Sequence, residues 1–162
     1  MTDESITSWL SGRLPEDWFT EVPQVTVDRD EILVVGRIDA PADGGEEAAA
    51  GRIARFRDET RERRMAIARE AEHRYGRKVA WGASCGETTK VFTSLSVPVM
   101  TRLRQPERRV LDTLVDAGVA RSRSDALAWA VRLVGRHTED WLEQLRTAMA
   151  DVERVRAAGP AA

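Results

Sequence analysis

Residues 95–134 hold a short alternating run, LSVPVMTRL, then two amphipathic helical segments joined through Gly118, and this order constrains the chain more than any other feature. A lone strand beside two short helices cannot satisfy its own backbone groups or bury its own apolar face. Two copies can pair their strands antiparallel and interlock their helices. The segment therefore predicts a homodimer built through residues 95–103 and the helices after them. Alternation turns Leu95, Val97, Val99, Thr101 and Leu103 toward that shared core. Pro98, Met100, Arg102 and Arg104 then face outward.

The helices carry local signals of their own. Pro106 fits a first helical turn, and its helix runs to about Ala117, burying Val110, Leu111 and Leu114 with Val115 beside them. Gly118 supplies a left-handed cap, and Val119 the apolar contact that often accompanies one. Ser122, with Asp125 at the third position after it, forms a capping-box start for the second helix. The inner stripe of that helix is Leu127, Ala130, Val131 and Val134. A third helix starts near Thr138 and ends before Gly159-Pro160. Its residues Trp141, Leu145, Ala148, Val152 and Val155 are spaced four, three, four, three, the pattern of a helix-pairing seam.

The N-terminal part reads as a different object. TSWLSGRLPEDWF is a short helical or turn-like lead in which Trp9, Leu10, Leu14, Trp18 and Phe19 cover a core edge. Residues 25–38, VTVDRDEILVVGRI, read as a β-hairpin turning at Asp28, Arg29 and Asp30, and APADGGEE reads as a loop. One long helix is expected from about Glu46 to Tyr75, with Ile53, Phe56, Thr60, Ile67, Ala71 and Tyr75 on one face, an interruption at Arg64, and Gly76 as its cap. KVAW and KVFTSLSV then read as strands joined by the turn-rich GASCGETT. The predicted fold class is α+β. A small ββαββ-like unit with one long helix spans residues 1–92, a strand-helix-helix module spans 93–137, and an additional helix spans 138–158.

The module resembles a known family. Residues 95–134, LSVPVMTRLRQPERRVLDTLVDAGVARSRSDALAWAVRLV, are similar to a ribbon-helix-helix DNA-binding domain, most densely in VLDTLVDAGVARSRSDALAWAV. The resemblance covers about a quarter of the chain. It implies a paired ribbon in the major groove, with Met100, Arg102 and Arg104 against base edges. It also implies a phosphate at the turn of Ser122, Arg123 and Ser124, where free backbone amides at a helix start favour an anion. The chain departs from the family pattern at Pro98 and Met100, which occupy outward positions often held by polar residues. Gln105 and Pro106 also delay the first helix slightly.

Charge is unevenly spread. The formal net charge is −2, but residues 1–47 carry twelve acids against Arg13, Arg29 and Arg37. Residues 52–78 carry ten basic residues against five acids, and residues 97–137 carry eight against four. Both stretches can present positive faces that the N-terminus cancels in the total. Within the first, Arg57, Arg61 and Arg64 fall at i, i+4 and i+7, a possible secondary basic face tracking a phosphate backbone. Asp58, Glu59 and Glu62 are interleaved with it and can pair along the helix.

Several classes are set aside. The apolar runs are too short to cross a bilayer, and the acidic start MTDESITSW is unlike a signal peptide, so a cytoplasmic protein is expected. The single Cys85 excludes an internal disulfide. Cys85, His73 and His137 are too scattered for zinc, and no cofactor motif is present, so neither metal nor cofactor is expected. Gly82-Ala83-Ser84-Cys85-Gly86 matches a nucleophile elbow, but the residues after Gly86 favour a strand over the required helix, so catalysis is not expected there. The expected function is a dimeric DNA-binding protein, a transcriptional regulator or nucleoid-associated protein. The alternative is a non-catalytic dimeric adaptor that binds a protein or ribonucleoprotein through the N-terminal unit and the C-terminal helix.

Overall fold

A computed structural model of the chain describes residues 3–41 and 45–159. The chain divides into two compact units, Met1–Val99 and Met100–Ala162.

In the first unit the lead is a helix, α1 (Asp3–Arg13), that buries Ile6 and Leu10, one turn apart on a single face. The hairpin forms as expected, β1 (Gln24–Val27) and β2 (Glu31–Arg37). Its turn is fixed by Asp28, whose Oδ1 accepts from the backbone N–H groups of Asp30 at 2.8 Å and Glu31 at 2.7 Å. These two bonds, opposed by partial desolvation, hold the Asp28 carboxyl below its ordinary pKa. Strand β2 alternates, with Ile32, Val34 and Gly36 buried. At Gly36 a side chain has no room: a Cβ would meet Phe19 Cδ1 at 2.1 Å. Phe19 lies over the strand because this position has no side chain.

Strand β2 pairs in parallel with β3 (Lys78–Cys85), and parallel neighbours need a long crossover. Two helices supply it, α2 (Gly45–Glu59) and α3 (Arg61–Tyr75), with Gly76 capping the second at φ 68°. The single helix expected over 46–75 is thus bent at Thr60, and the cause is side-chain chemistry. Thr60 Oγ1 donates back to the Phe56 carbonyl at 2.6 Å. Arg64 Nε donates to that same hydroxyl at 2.9 Å, and its Nη2 reaches the Arg57 carbonyl. A continuous helix would give that carbonyl the Arg61 N–H. Arg64 therefore does not interrupt the buried stripe; it belongs to it.

The sheet closes with β4 (Thr88–Val91), in the order β1-β2-β3-β4. Here the expected segmentation is corrected. GASC is part of β3, the turn is confined to Gly86 and Glu87, and no strand continues to residue 97. The small residues suit the centre of a sheet: a Cβ on Gly82 would lie 3.0 Å from the Lys90 carbonyl oxygen on the neighbouring strand. Trp18 anchors the core, edge-on to Phe56 at 5.9 Å and to Trp81 at 6.1 Å.

The second unit holds α4 (Gln105–Asp116), α5 (Arg123–His137) and α6 (Glu139–Ala158). The connection between α4 and α5 is a Schellman turn. Gly118, at φ 75°, donates to the Val115 carbonyl at 3.0 Å, and Val119 donates to that of Leu114 at 2.9 Å. The buried core is small: Leu111, Ala120 and Ala126, with Leu103, Leu114, Val115 and Leu127 packed around it. Ala120 takes the place expected of Val119, and Ala126 the centre expected of the later stripe. Val110, Val131 and Val134 are exposed in the single chain.

Among the described residues no helix is long and apolar enough to cross a membrane, and no cluster of metal-ligating side chains occurs.

Candidate nucleic-acid interface

The residues expected to touch DNA lie on two kinds of backbone. Met100, Arg102 and Arg104 belong to a segment, residues 93–104, without regular secondary structure in the single chain. The strand expected over 95–103 is absent from it, since a strand exists only against a hydrogen-bonding neighbour. Its apolar side chains are open: Val99 is 85% exposed and Met100 94%, and Leu95 and Val97 are also exposed. Leu103 alone of the expected inward set packs on the helical core. Arg102 and Arg104 are exposed.

Ser122, Arg123 and Ser124 sit at the start of α5. Ser122 is its cap, accepting the Asp125 N–H on Oγ at 3.2 Å, while Asp125 Oδ2 accepts the Arg121 N–H at 3.0 Å. The backbone bond to Arg121 is the main reason the Asp125 carboxyl lies below its ordinary pKa. First-turn N–H groups have no acceptor within a helix, which leaves those of Arg123 and Ser124 without one inside α5. The Arg123 side chain is engaged elsewhere, on Asp112 of α4 through two hydrogen bonds. Those bonds raise the pKa of Arg123 and lower that of Asp112. No sequence pattern signals this pair, because its members are eleven residues apart on different helices.

The secondary basic face is altered more. Arg57 and Arg61 are exposed, but Arg64 is only 6% exposed, so the three do not form one solvated row.

Two other places offer chemistry less well. A cavity of about 710 Å³ opens where the parallel strands end and α2 begins, with Glu46, Glu87 and Lys90 in its lining. Among the described residues that is two carboxylates against one cation, which does not favour an anion there. Cys85 beside it is fully buried, its Sγ 3.7 Å from the Asp39 carbonyl. Ser84 lies mid-sheet, paired with Arg37 and Thr89, and not on a strand-to-helix turn. On α6 the seam residues Trp141, Leu145, Val152 and Val155 are all exposed, and the helix has no buried residue.

The fold is thus a mixed α+β protein: a four-stranded sheet with a helical crossover, and a separate helical unit bearing an open apolar face and an arginine-bearing turn. Residues 4–91 match the family described as Rv1265-like protein, N-terminal domain, and residues 104–156 match the Mb1296 C-terminal domain. The chain belongs to the Rv1265-like protein family. It is 62% identical over 155 residues to protein Rv1265 of Mycobacterium tuberculosis (strain ATCC 25618 / H37Rv), a match covering 94% of this chain and 69% of the relative. Protein Mb1296 of Mycobacterium bovis (strain ATCC BAA-935 / AF2122/97) gives the same identity and coverage. No solved structure matches the chain.

Proposed function

We propose that this protein is a dimeric DNA-binding protein, a transcriptional regulator or nucleoid-associated protein of the ribbon-helix-helix kind. Residues 95–103 pair with those of a second copy, and the ribbon presents Met100, Arg102 and Arg104 to base edges. The amides and side chains of Ser122, Arg123 and Ser124 hold backbone phosphates on either side.

One observation carries this reading: among its described residues the helical unit buries only Leu111, Ala120 and Ala126, while Val110, Val131, Val134 and the unpaired segment with Val99 stay open. A second copy supplies both the missing strand partner and the missing core. The outward arginine pair and the amides at the start of α5 then give the dimer its affinity for phosphate.

The test is a salt titration on a selected site and on random-sequence DNA. Arg102→Ala should narrow the gap between the two, since a bidentate base contact discriminates by about 1–3 kcal/mol. Arg123→Ala should weaken both alike and flatten the salt dependence by about one unit of slope per contact, counted twice in a symmetric dimer. Absence of salt-dependent binding to any DNA would overturn the reading. It would favour the adaptor alternative, which the open seam of α6 supports.

A further inference from the structure

Two arginines beside the break between α2 and α3 converge on one ring. The Arg64 guanidinium carbon lies 4.8 Å from the centroid of Phe92, and that of Arg57 lies 5.9 Å from the same centroid. Arg64 is more than nine-tenths buried, and its polar contacts are the Thr60 hydroxyl and the Arg57 carbonyl, both uncharged. Burial lowers its pKa most, Arg57 and Arg61 lower it further, and Asp58 opposes them.

Among the described residues, none of Arg57, Arg61 and Arg64 makes an ion pair. Other cations of the same unit do: Arg55 pairs with Glu59, Arg13 with Glu70, and Lys78 with Glu72. A cation out of water without a carboxylate is costly, and two more of the same sign beside it add to the cost. A bound oxyanion reverses both terms, since guanidinium groups grip phosphate through charge-assisted forked bonds.

Arg64 also lines a groove of about 330 Å³ between α3 and β3, with Met65, Ala68, Val79 and Trp81 as apolar walls and Arg69 and Glu72 among the polar ones, the Glu72 carboxylate being paired with Lys78. That size is at the lower end for small-molecule sites, and the walls are largely apolar. With Arg64 only 6% exposed, a small anion reaches its guanidinium more readily than a phosphate fixed in a rigid duplex does.

We propose that the N-terminal unit binds a small phosphorylated ligand with a flat apolar body, its phosphate held by Arg64, Arg57 and Arg61 and its body in the groove between α3 and β3. The site uses no residue of the helical unit, so it stands independently of the DNA-binding reading.

The experiment is calorimetric titration of the full chain with phenyl phosphate, inorganic phosphate and phenol. Phenyl phosphate should bind at sub-millimolar concentration, inorganic phosphate at least about tenfold more weakly, and phenol not at all. Arg57→Ala and Arg61→Ala, both at exposed positions, should each weaken phenyl phosphate about tenfold. Arg64→Lys keeps the charge but loses the fork and should also weaken it; if that variant does not fold, the two exposed variants carry the test. No binding of phenyl phosphate, or unchanged affinity in both exposed variants, overturns the proposal. So does equal affinity for inorganic phosphate, which would remove the groove. Loss of duplex binding in Arg57→Ala and Arg61→Ala, with phenyl phosphate unaffected, would also overturn it and assign these arginines to nucleic acid.

Discussion

Arg123 and Asp112 form a two-point pair, Nε to Oδ1 at 2.6 Å and Nη2 to Oδ2 at 2.8 Å, so the first residue of α5 is fastened to the middle of α4. Both side chains are well exposed, 60% and 41%, so solvent screens the pair and it adds little to stability. Its larger effect is on availability. A guanidinium occupied by a carboxylate is a weaker ligand for phosphate, and Asp112 competes for it. On the proposed DNA-binding reading, Asp112→Asn is therefore expected to raise DNA affinity several-fold while lowering stability only slightly. Paired salt titrations and denaturant melts would measure both. Unchanged affinity would remove Arg123 from the contact set.

The open face of the helical unit predicts concentration-dependent unfolding. If a second copy completes the core, the midpoint of denaturation should rise with protein concentration. Val131, 65% exposed in one copy, is the sharper probe. Val131→Asp leaves the Leu111–Ala126 core untouched but puts a charge into the shared one, and should give a folded monomer by sedimentation. Val99→Pro should act at the ribbon, by removing a ladder donor. A wild-type chain that sediments as a monomer at micromolar concentration would be incompatible with the dimer.

Acid should loosen both units. Asp28, Glu70, Asp112 and Asp125 all have their pKa lowered, by backbone N–H groups for Asp28 and Asp125 and by arginines for Glu70 and Asp112. A carboxylate with a depressed folded-state pKa contributes stability above its unfolded value, and that contribution is lost as pH falls through the folded one. The ordinary values are 3.8 for the aspartates and 4.5 for Glu70. Stability should thus be flat from neutrality to about pH 5 and decline below about pH 4. A melt series across that range checks it. Asp112→Asn should show a shallower decline, and an identical profile would mean the pair is not formed in solution.

Substitutions at Gly36, Ser84 and Cys85 probe the sheet. Gly36→Ala drives a methyl into the Phe19 ring and should cost about 1–3 kcal/mol by overpacking. Phe19→Leu in the same chain should recover part of the loss. Cys85→Ser places a hydroxyl in a fully buried site and should cost about 1–3 kcal/mol unless it reaches the Asp39 carbonyl, whereas Ser84→Ala, at a half-buried position, should be near neutral. Denaturant melts measure both, and a loss in Ser84→Ala as large as that in Cys85→Ser would contradict the difference in burial.

Local chemistry made much of this fold legible. The cap at Ser122, the left-handed glycines at 76 and 118, and the Asp28 turn each depend on residues within a few positions of one another. What escaped depends on partners distant in sequence. Thr60 is no helix breaker by propensity; the bend needs its hydroxyl bonded to Phe56 and Arg64 together. A signal for Arg64 did exist: position 64 falls on the buried stripe with Ile53, Phe56, Thr60, Ile67 and Ala71, and the stripe outranks the charge. GASC looks like a turn because its residues are small, yet their smallness serves the close approach of β4 at Gly82. Val131 and Val134 show the limit of periodicity for the candidate interface. An apolar stripe says that a face is to be covered, and is silent on which chain covers it.

The parallel pairing of β2 and β3 bears on how the protein is made. Ile32 lies opposite Val79, and the whole of α2 and α3 comes between them. During synthesis the apolar strand EILVVGR therefore leaves the ribosome with one edge paired to β1 and the other open until β3 arrives. Long-range parallel closure is slow, because the chain entropy of the loop is spent before any contact repays it. For that interval the unpaired edge is the segment most exposed to pairing with another chain. Yield on expression should therefore respond to translation rate and temperature more steeply than the stability of the finished fold does.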